Sequence, residues 1–345
     1  MPSSITHAYF AREVYTSLPV KYKNKINSNT GELELFAQGS DPFMFYQFFI
    51  GWNAEIGKKL QHQMHTSKTR DFFLQVIKKI HDKNLKNNKS AMAFLYGYIC
   101  HYYLDLMTHP FIDYQAGNFR RDDKRTYPYN TLHQKIEYRI DSYIILEKLK
   151  KNPKTFKGYQ YLFKSCKLNN VVKKMMDEVL REVYSFDQAS FYYQKAIYQM
   201  RLFWKYINYD FTGIKHLIYT GVDKVTPKYM VRLEELSFHT KSSGEEYLNL
   251  GHEKWCFPWD NSTYQETSFF DLFEIAKEKA INTIMEVTDM IDEEKIDVKR
   301  LKELFSNLSY ATGLNCEKEV KYQYFKEVTN YQKSSHFSKF FKNVF

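Results

Sequence analysis

An all-α fold is what this sequence predicts. Three observations carry the expectation. Apolar residues recur at three- and four-residue spacings, glycine and proline are few (12 and 8 of 345 residues), and 43% hydrophobic content at this length suffices for a sizeable core. In chain order the recurrence predicts helices over residues 5–17, 69–84, 90–108, 132–150, 171–184, 188–206, 268–291 and 297–308. Between the first two, Gly39-Ser-Asp41-Pro42 reads as a turn fixed by its proline. The third is almost wholly apolar from Ala91 to Cys100, and Pro110, which lacks an N–H and crowds the preceding turn, lies beyond its expected end. Ile136 and Ile140 give the fourth its apolar stripe, and Ser268 opens the seventh. Residues 247–259 read as a structured loop before it. No apolar run reaches membrane-spanning length, because charged or polar residues interrupt each one. Without a solvated linker, residues 1–150 and 151–345 read either as a metal-binding helical core with a helical C-terminal part packed on it, or as one continuous domain.

The chemistry concentrates in His101-Tyr-Tyr-Leu-Asp105-Leu-Met-Thr-His109. On a helix each four-residue step turns about 40° past a full turn and rises roughly 6 Å, so these three side chains share one face with the carboxylate central. Asp105 is then able to bridge two ions. A single His-x-x-x-acid pair is expected by accident about once in a chain with this many His and acidic residues, but the complete ladder only about 0.04 times. A polar helix face meeting solvent or a salt bridge is the plainer alternative. Two imidazoles and a carboxylate among apolar neighbours are costly unless something pairs with them.

A second cluster, His133 and Glu137, repeats the one-turn spacing beside Ile136 and Ile140. Upstream lie Asp41 in its proline turn, His62 and His65, and His7 near the start. Seven of the 11 histidines precede residue 138. Neutral imidazole and carboxylate suit zinc, and three protein ligands leave a coordination position open for water or substrate.

The order of these residues resembles the bacterial zinc-dependent phospholipases C and their structural relatives, the zinc-dependent single-strand nucleases. That family uses an early His, a loop Asp, a His, a His-x-x-x-Asp pair, another His and a final His-x-x-x-acid pair to hold three zinc ions. Here His7, Asp41, His65, His101 with Asp105, His109, and His133 with Glu137 stand in the same order. The resemblance implies a multi-helical bundle of that type with extra C-terminal helices, and two to three Zn2+ ions in a trinuclear site. One ion would take Asp41, His65, His101 and Asp105; a second would take His109, His133 and Glu137. The third would be shared by Asp105, His7 and the amino terminus. Family members begin with a Trp that chelates this third ion, whereas this chain begins Met1-Pro2, so the Pro2 amine is expected in that role once Met1 is removed. His65 is preferred to His62 because Thr66 and Phe72 follow it as in the family. Asp113 and Asp141 are expected behind the ligands or at the surface. Asp41 is the expected base or water-orienting group.

The resemblance further implies a hydrolase of phosphodiesters, first a phospholipase C cutting the glycerol side of a phospholipid's phosphate. A single-strand nuclease or soluble phosphodiesterase is the alternative, with Tyr9, Phe43, Tyr102 and Tyr129 among the aromatics available for base stacking. A non-catalytic helical protein held together by metal is the third reading. The net charge of +10 favours polyanionic partners, yet the basic residues are spread among 40 acids, so nucleic acid ranks below phospholipid. Cys100, Cys166, Cys256 and Cys316 form no Cys-x-x-Cys pair, and no signal peptide is evident, so a cytoplasmic location is expected, with peripheral membrane contact an option. The tail, where Lys333, Lys339 and Lys342 interleave with Phe337, Phe340, Phe341 and Phe345, either packs on the body or lies on an anionic bilayer.

Overall fold

The computed structural model describes residues 4–27, 29–51, 54–164, 166–239, 244–293 and 295–327. The Pro2 amine and the lysine-phenylalanine tail therefore lie outside the described residues. The fold is all-α. Its α-helices are α1 (Ser4–Ser17), α2 (Val20–Ile26), α3 (Thr30–Phe36), α4 (Ala54–Thr66), α5 (Thr69–Asp82), α6 (Lys89–Ala116), α7 (Leu132–Tyr143), α8 (Gly158–Leu162), α9 (Asn170–Tyr184), α10 (Ala189–Phe203), α11 (Ile214–Val225), α12 (Phe269–Asp292) and α13 (Val298–Leu304). No helix among them is long and apolar enough to cross a membrane.

The 28-residue α6 is the axis of the molecule and is buried over most of its surface. Its start is fixed by Asn88, whose side chain accepts from the Ala91 N–H at 3.0 Å. Gly97 permits α3 to lie directly against it, since a Cβ there would stand 2.6 Å from the Phe36 Cβ. On another side lies α12, opened by a reciprocal capping pair of Ser268 and Asp271. Two hydroxyl pairs join α6 to α12, Tyr96 with Thr288 and Tyr103 with Thr283, both at 2.8 Å. Helices α1, α2, α7 and α9 also pack on α6, which places its polar ladder inside the bundle.

Two expectations require correction. The helix expected to end at residue 108 continues through Pro110 to Ala116. Proline removes a single N–H, and the following turns are held by packing: Phe111 meets Trp255 edge-on at 5.3 Å, and the Gln115 amide donates to the Tyr247 carbonyl at 3.0 Å. The expected loop at 247–259 ends in a short antiparallel hairpin, β1 (Trp255–Phe257) with β2 (Asp260–Gln265). The Trp255 indole donates to the Thr267 carbonyl and secures it.

Candidate metal centre

Four segments around α6 converge on its ladder. Thr6 on α1 brings His7 inward, because the buried Asp141 carboxylate of α7 accepts from the Ile5 N–H, the Thr6 N–H and the Thr6 hydroxyl at 3.2, 2.8 and 2.7 Å. Asp41 begins a short 3-10 turn, Asp41–Phe45, in which Pro42, the second residue, has its φ fixed by the ring. His65 projects from the last turn of α4, and His133 and Glu137 from the first turns of α7.

The result is one continuous cluster. Asp105 lies at its middle: one oxygen is 3.1 Å from His7 Nε2 and 3.5 Å from His109 Nε2, the other 3.3 Å from His101 Nε2 and 3.4 Å from His65 Nε2. Asp41 stands 3.2 Å from His65, and Glu137 joins His133 at 3.0 Å and His109 at 3.9 Å. Three groups have ligand atoms mutually within 4.8 Å: His7, His101 and Asp105; Asp41, His65 and His101; His109, His133 and Glu137. All eight residues singled out in the sequence are thereby brought together. His62 is exposed and stands apart from these groups.

The imidazoles are oriented from behind. Nδ1 of His101 faces the Ala37 carbonyl at 3.1 Å, and Nδ1 of His109 faces the Tyr310 carbonyl at 3.0 Å. In His133, Nδ1 faces Asp113 at 2.9 Å, and that carboxylate in turn accepts from the Tyr322 hydroxyl at 3.0 Å. In His65, Nδ1 is 3.0 Å from the Gln61 carbonyl. An Nδ1–H committed to these oxygens turns the lone pair of Nε2 inward, in the manner of metal-binding histidines. An inward lone pair facing carboxylate oxygens is repulsive unless Nε2 carries a proton or a cation lies between them. Gly39, at φ 55°, packs on the His101 ring so closely that a Cβ would be 2.1 Å from Cδ2.

Protonation follows the same logic. Burial opposes a charged His65, yet hydrogen bonds and charges from Asp105 and Asp41 outweigh it and lift the imidazole to about 10. His133 is likewise raised to about 10 by Glu137 and Asp113 against the effect of burial. Burial prevails at His101, which falls to about 4. The donor set fits a cation in this position: Asp41 Oδ2 and Asp105 Oδ2 are buried without a hydrogen-bond partner among the described residues. The cluster opens at one end, where the His133 side chain is 36% exposed against 2% for Asp105.

Residues 6–186, just over half of the chain, match the profile of a family described as zinc dependent phospholipase C. The chain belongs to this family. The match spans all the clustered residues of this zinc-dependent phospholipase C relative, from His7 to Glu137. No curated protein and no solved structure matches the chain. Several contributors to the centre were not foreseen. Gln61 donates to Asp41 at 3.1 Å and lies one helical turn before His65, a spacing visible in the sequence. The carbonyls of Ala37 and Tyr310 carry no residue-type signal.

Proposed function

We propose that the chain is a zinc-dependent phosphodiester hydrolase that cleaves a phospholipid on the glycerol side of its phosphate. The observation that carries this reading is Asp105, one carboxylate within 3.5 Å of four imidazoles, in a chain belonging to the zinc-dependent phospholipase C family. The proposed ligands are Asp41, His65, His101 and Asp105 for one ion, His109, His133 and Glu137 for a second, and Asp105 with His7 for a third. Zinc bound there supplies Lewis acidity and lowers the pKa of its water toward neutrality. The protein's own contribution is orientation and proton handling. Ala37, Tyr310, Gln61 and Asp113 hold four imidazoles by Nδ1, so that their Nε2 atoms face a common space. Asp41, with Oδ1 held by Gln61 and Oδ2 without a hydrogen-bond partner among the described residues, is suited to accept a proton from the attacking water or to steer it. Apolar walls around α6 keep bulk water from the closed end.

The test compares zinc-loaded protein acting on a monomeric short-chain phosphatidylcholine and on single-stranded DNA. Release of phosphocholine, with loss of at least about 100-fold in Asp41→Asn assayed at saturating zinc, is expected. Cleavage of DNA alone would transfer the reading to the nuclease branch. Equal loss of stability and zinc in Asp41→Asn, without activity in the parent, would mark a structural metal site.

A further inference from the structure

Helix α11 is built inside out. Ile214, Leu217, Ile218, Gly221 and Val225 fall within about 100° of its circumference, the apolar stripe that normally faces a core. Here that stripe faces away from the protein: Leu217 is 72% exposed and Val225 84%, and no residue of the helix is buried. The opposite face carries the polar groups that hold the helix down. The Tyr219 hydroxyl donates to the Ile207 carbonyl at 3.1 Å, and the Asp223 carboxylate accepts from the Leu233 and Glu234 N–H groups at 2.8 and 2.9 Å. At the start of the helix, Asp210 accepts from the His216 N–H at 2.8 Å. The outward apolar surface is therefore presented by specific inward polar contacts, and Phe211, 61% exposed, extends it.

The charge along this stretch is mainly basic. From residue 205 to 232 there are five lysines and arginines and two aspartates, and both aspartates are the inward anchors just named. Lys224 and Lys228 are exposed at one end of the stripe. The loop that follows is fastened to the entrance of the metal centre: the Asn130 amide donates to the Lys228 and Met230 carbonyls, both at 2.6 Å, three residues before His133. Arg121 stacks on Tyr229 at 4.6 Å and, with Lys124, adds exposed basic charge on the same rim, where Arg125 is paired with Asp123.

We propose that α11 docks the protein on an anionic phospholipid surface, its apolar stripe entering the headgroup region and its basic rim meeting lipid phosphates beside the open end of the metal centre. An interfacial helix needs this combination of an apolar face and flanking cations. The choice of lipid rather than another apolar partner rests on the phospholipase reading.

The test is co-sedimentation of the zinc-loaded full chain with phosphatidylcholine vesicles, with and without phosphatidylglycerol, beside hydrolysis of a monomeric short-chain phosphatidylcholine. The parent is expected to sediment with vesicles, more strongly when phosphatidylglycerol is present and less at high salt. Leu217→Asp with Ile218→Asp should weaken vesicle partition by about tenfold or more, and Lys224→Glu with Lys228→Glu should remove most of the phosphatidylglycerol effect. Both should leave the rate on monomeric substrate within about twofold, because α11 contributes nothing to the ligand cluster. Unaltered vesicle binding in the first variant overturns the proposal. So does a parent that is dimeric in solution and becomes monomeric in that variant, which would assign the stripe to a second copy. Hydrolysis of the monomeric lipid without vesicle binding removes the docking helix alone, and vesicle binding without hydrolysis of any lipid removes the phospholipase reading alone.

Discussion

Asp113 reaches the centre only through His133. Its Oδ1 lies 2.9 Å from Nδ1 of that ring, which in turn presents Nε2 to Glu137 at 3.0 Å. Removing the carboxylate leaves the ring free to rotate and makes it a poorer donor to a cation, an effect that typically weakens metal binding about 10–100-fold. Asp113→Ala is therefore expected to lower the affinity for one zinc by that factor and leave the remaining zinc in place, as read by titration against a competing chelator. Unchanged affinity would remove Asp113 from the site. The clustering of the residues proposed as ligands was legible in the sequence because a helix turns four-residue spacing into a shared face: His101, Asp105 and His109 on α6, and His133 and Glu137 on α7. The groups that aim them were only partly so. Asp113 was expected either behind the ligands or at the surface, and it lies against His133, but the Ala37 and Tyr310 carbonyls are chemically the same as those of any other residue. Only the folded path of the chain selects them.

Helix α1 is tied at its first turn to a residue far along the chain. The Asp141 carboxylate, 135 positions away from Thr6, accepts from two N–H groups and a hydroxyl of that turn. With Asp141→Ala these buried donors lose their partner, at a cost of about 2–3 kcal/mol in denaturant unfolding, while Asp141→Asn retains an acceptor and should lose less. Because His7 follows Thr6 directly, the alanine variant should also bind less zinc; a full zinc complement with unchanged stability would contradict this role. Helices with broad apolar stripes, such as α6, α9 and α12, were visible in the sequence. Helix α4 was not, since Ile56, Leu60 and Met64 form a narrow stripe among polar residues. Nor was α11, whose stripe lies between the breakers Gly213 and Pro227. Strands of three and six residues with a bulge between them are too short and irregular for a period-two pattern to emerge, which is why β1 and β2 read as loop.

Five imidazoles and three carboxylates packed against α6 make the stability of the entire fold answer to protons and zinc in opposite ways. Without metal, His65 and His133 hold protons up to about pH 10, against an ordinary imidazole value of 6.5. A pKa raised on folding contributes stability that is complete below pH 6.5 and is lost as pH rises toward 10, because the unfolded chain has by then released the proton that the folded state must still take up. Metal-free protein is thus expected to lose about 3–5 °C in Tm between pH 6.5 and 8.5, chiefly from the buried His65, with a smaller share from the solvent-screened His133. Zinc must displace the same protons, so its affinity rises with pH, and its stabilisation, set by the ratio of free zinc to Kd, grows over the same interval. The gap in Tm between zinc-loaded and chelator-treated protein should therefore widen from pH 6.5 to 8.5, and calorimetry in buffers of different ionisation heat should register net proton release on zinc binding. Parallel Tm curves with no proton release would mean that the histidines facing Asp105 and Glu137 are neutral before the metal arrives, and that the carboxylates at the centre of the bundle are compensated by something other than imidazolium.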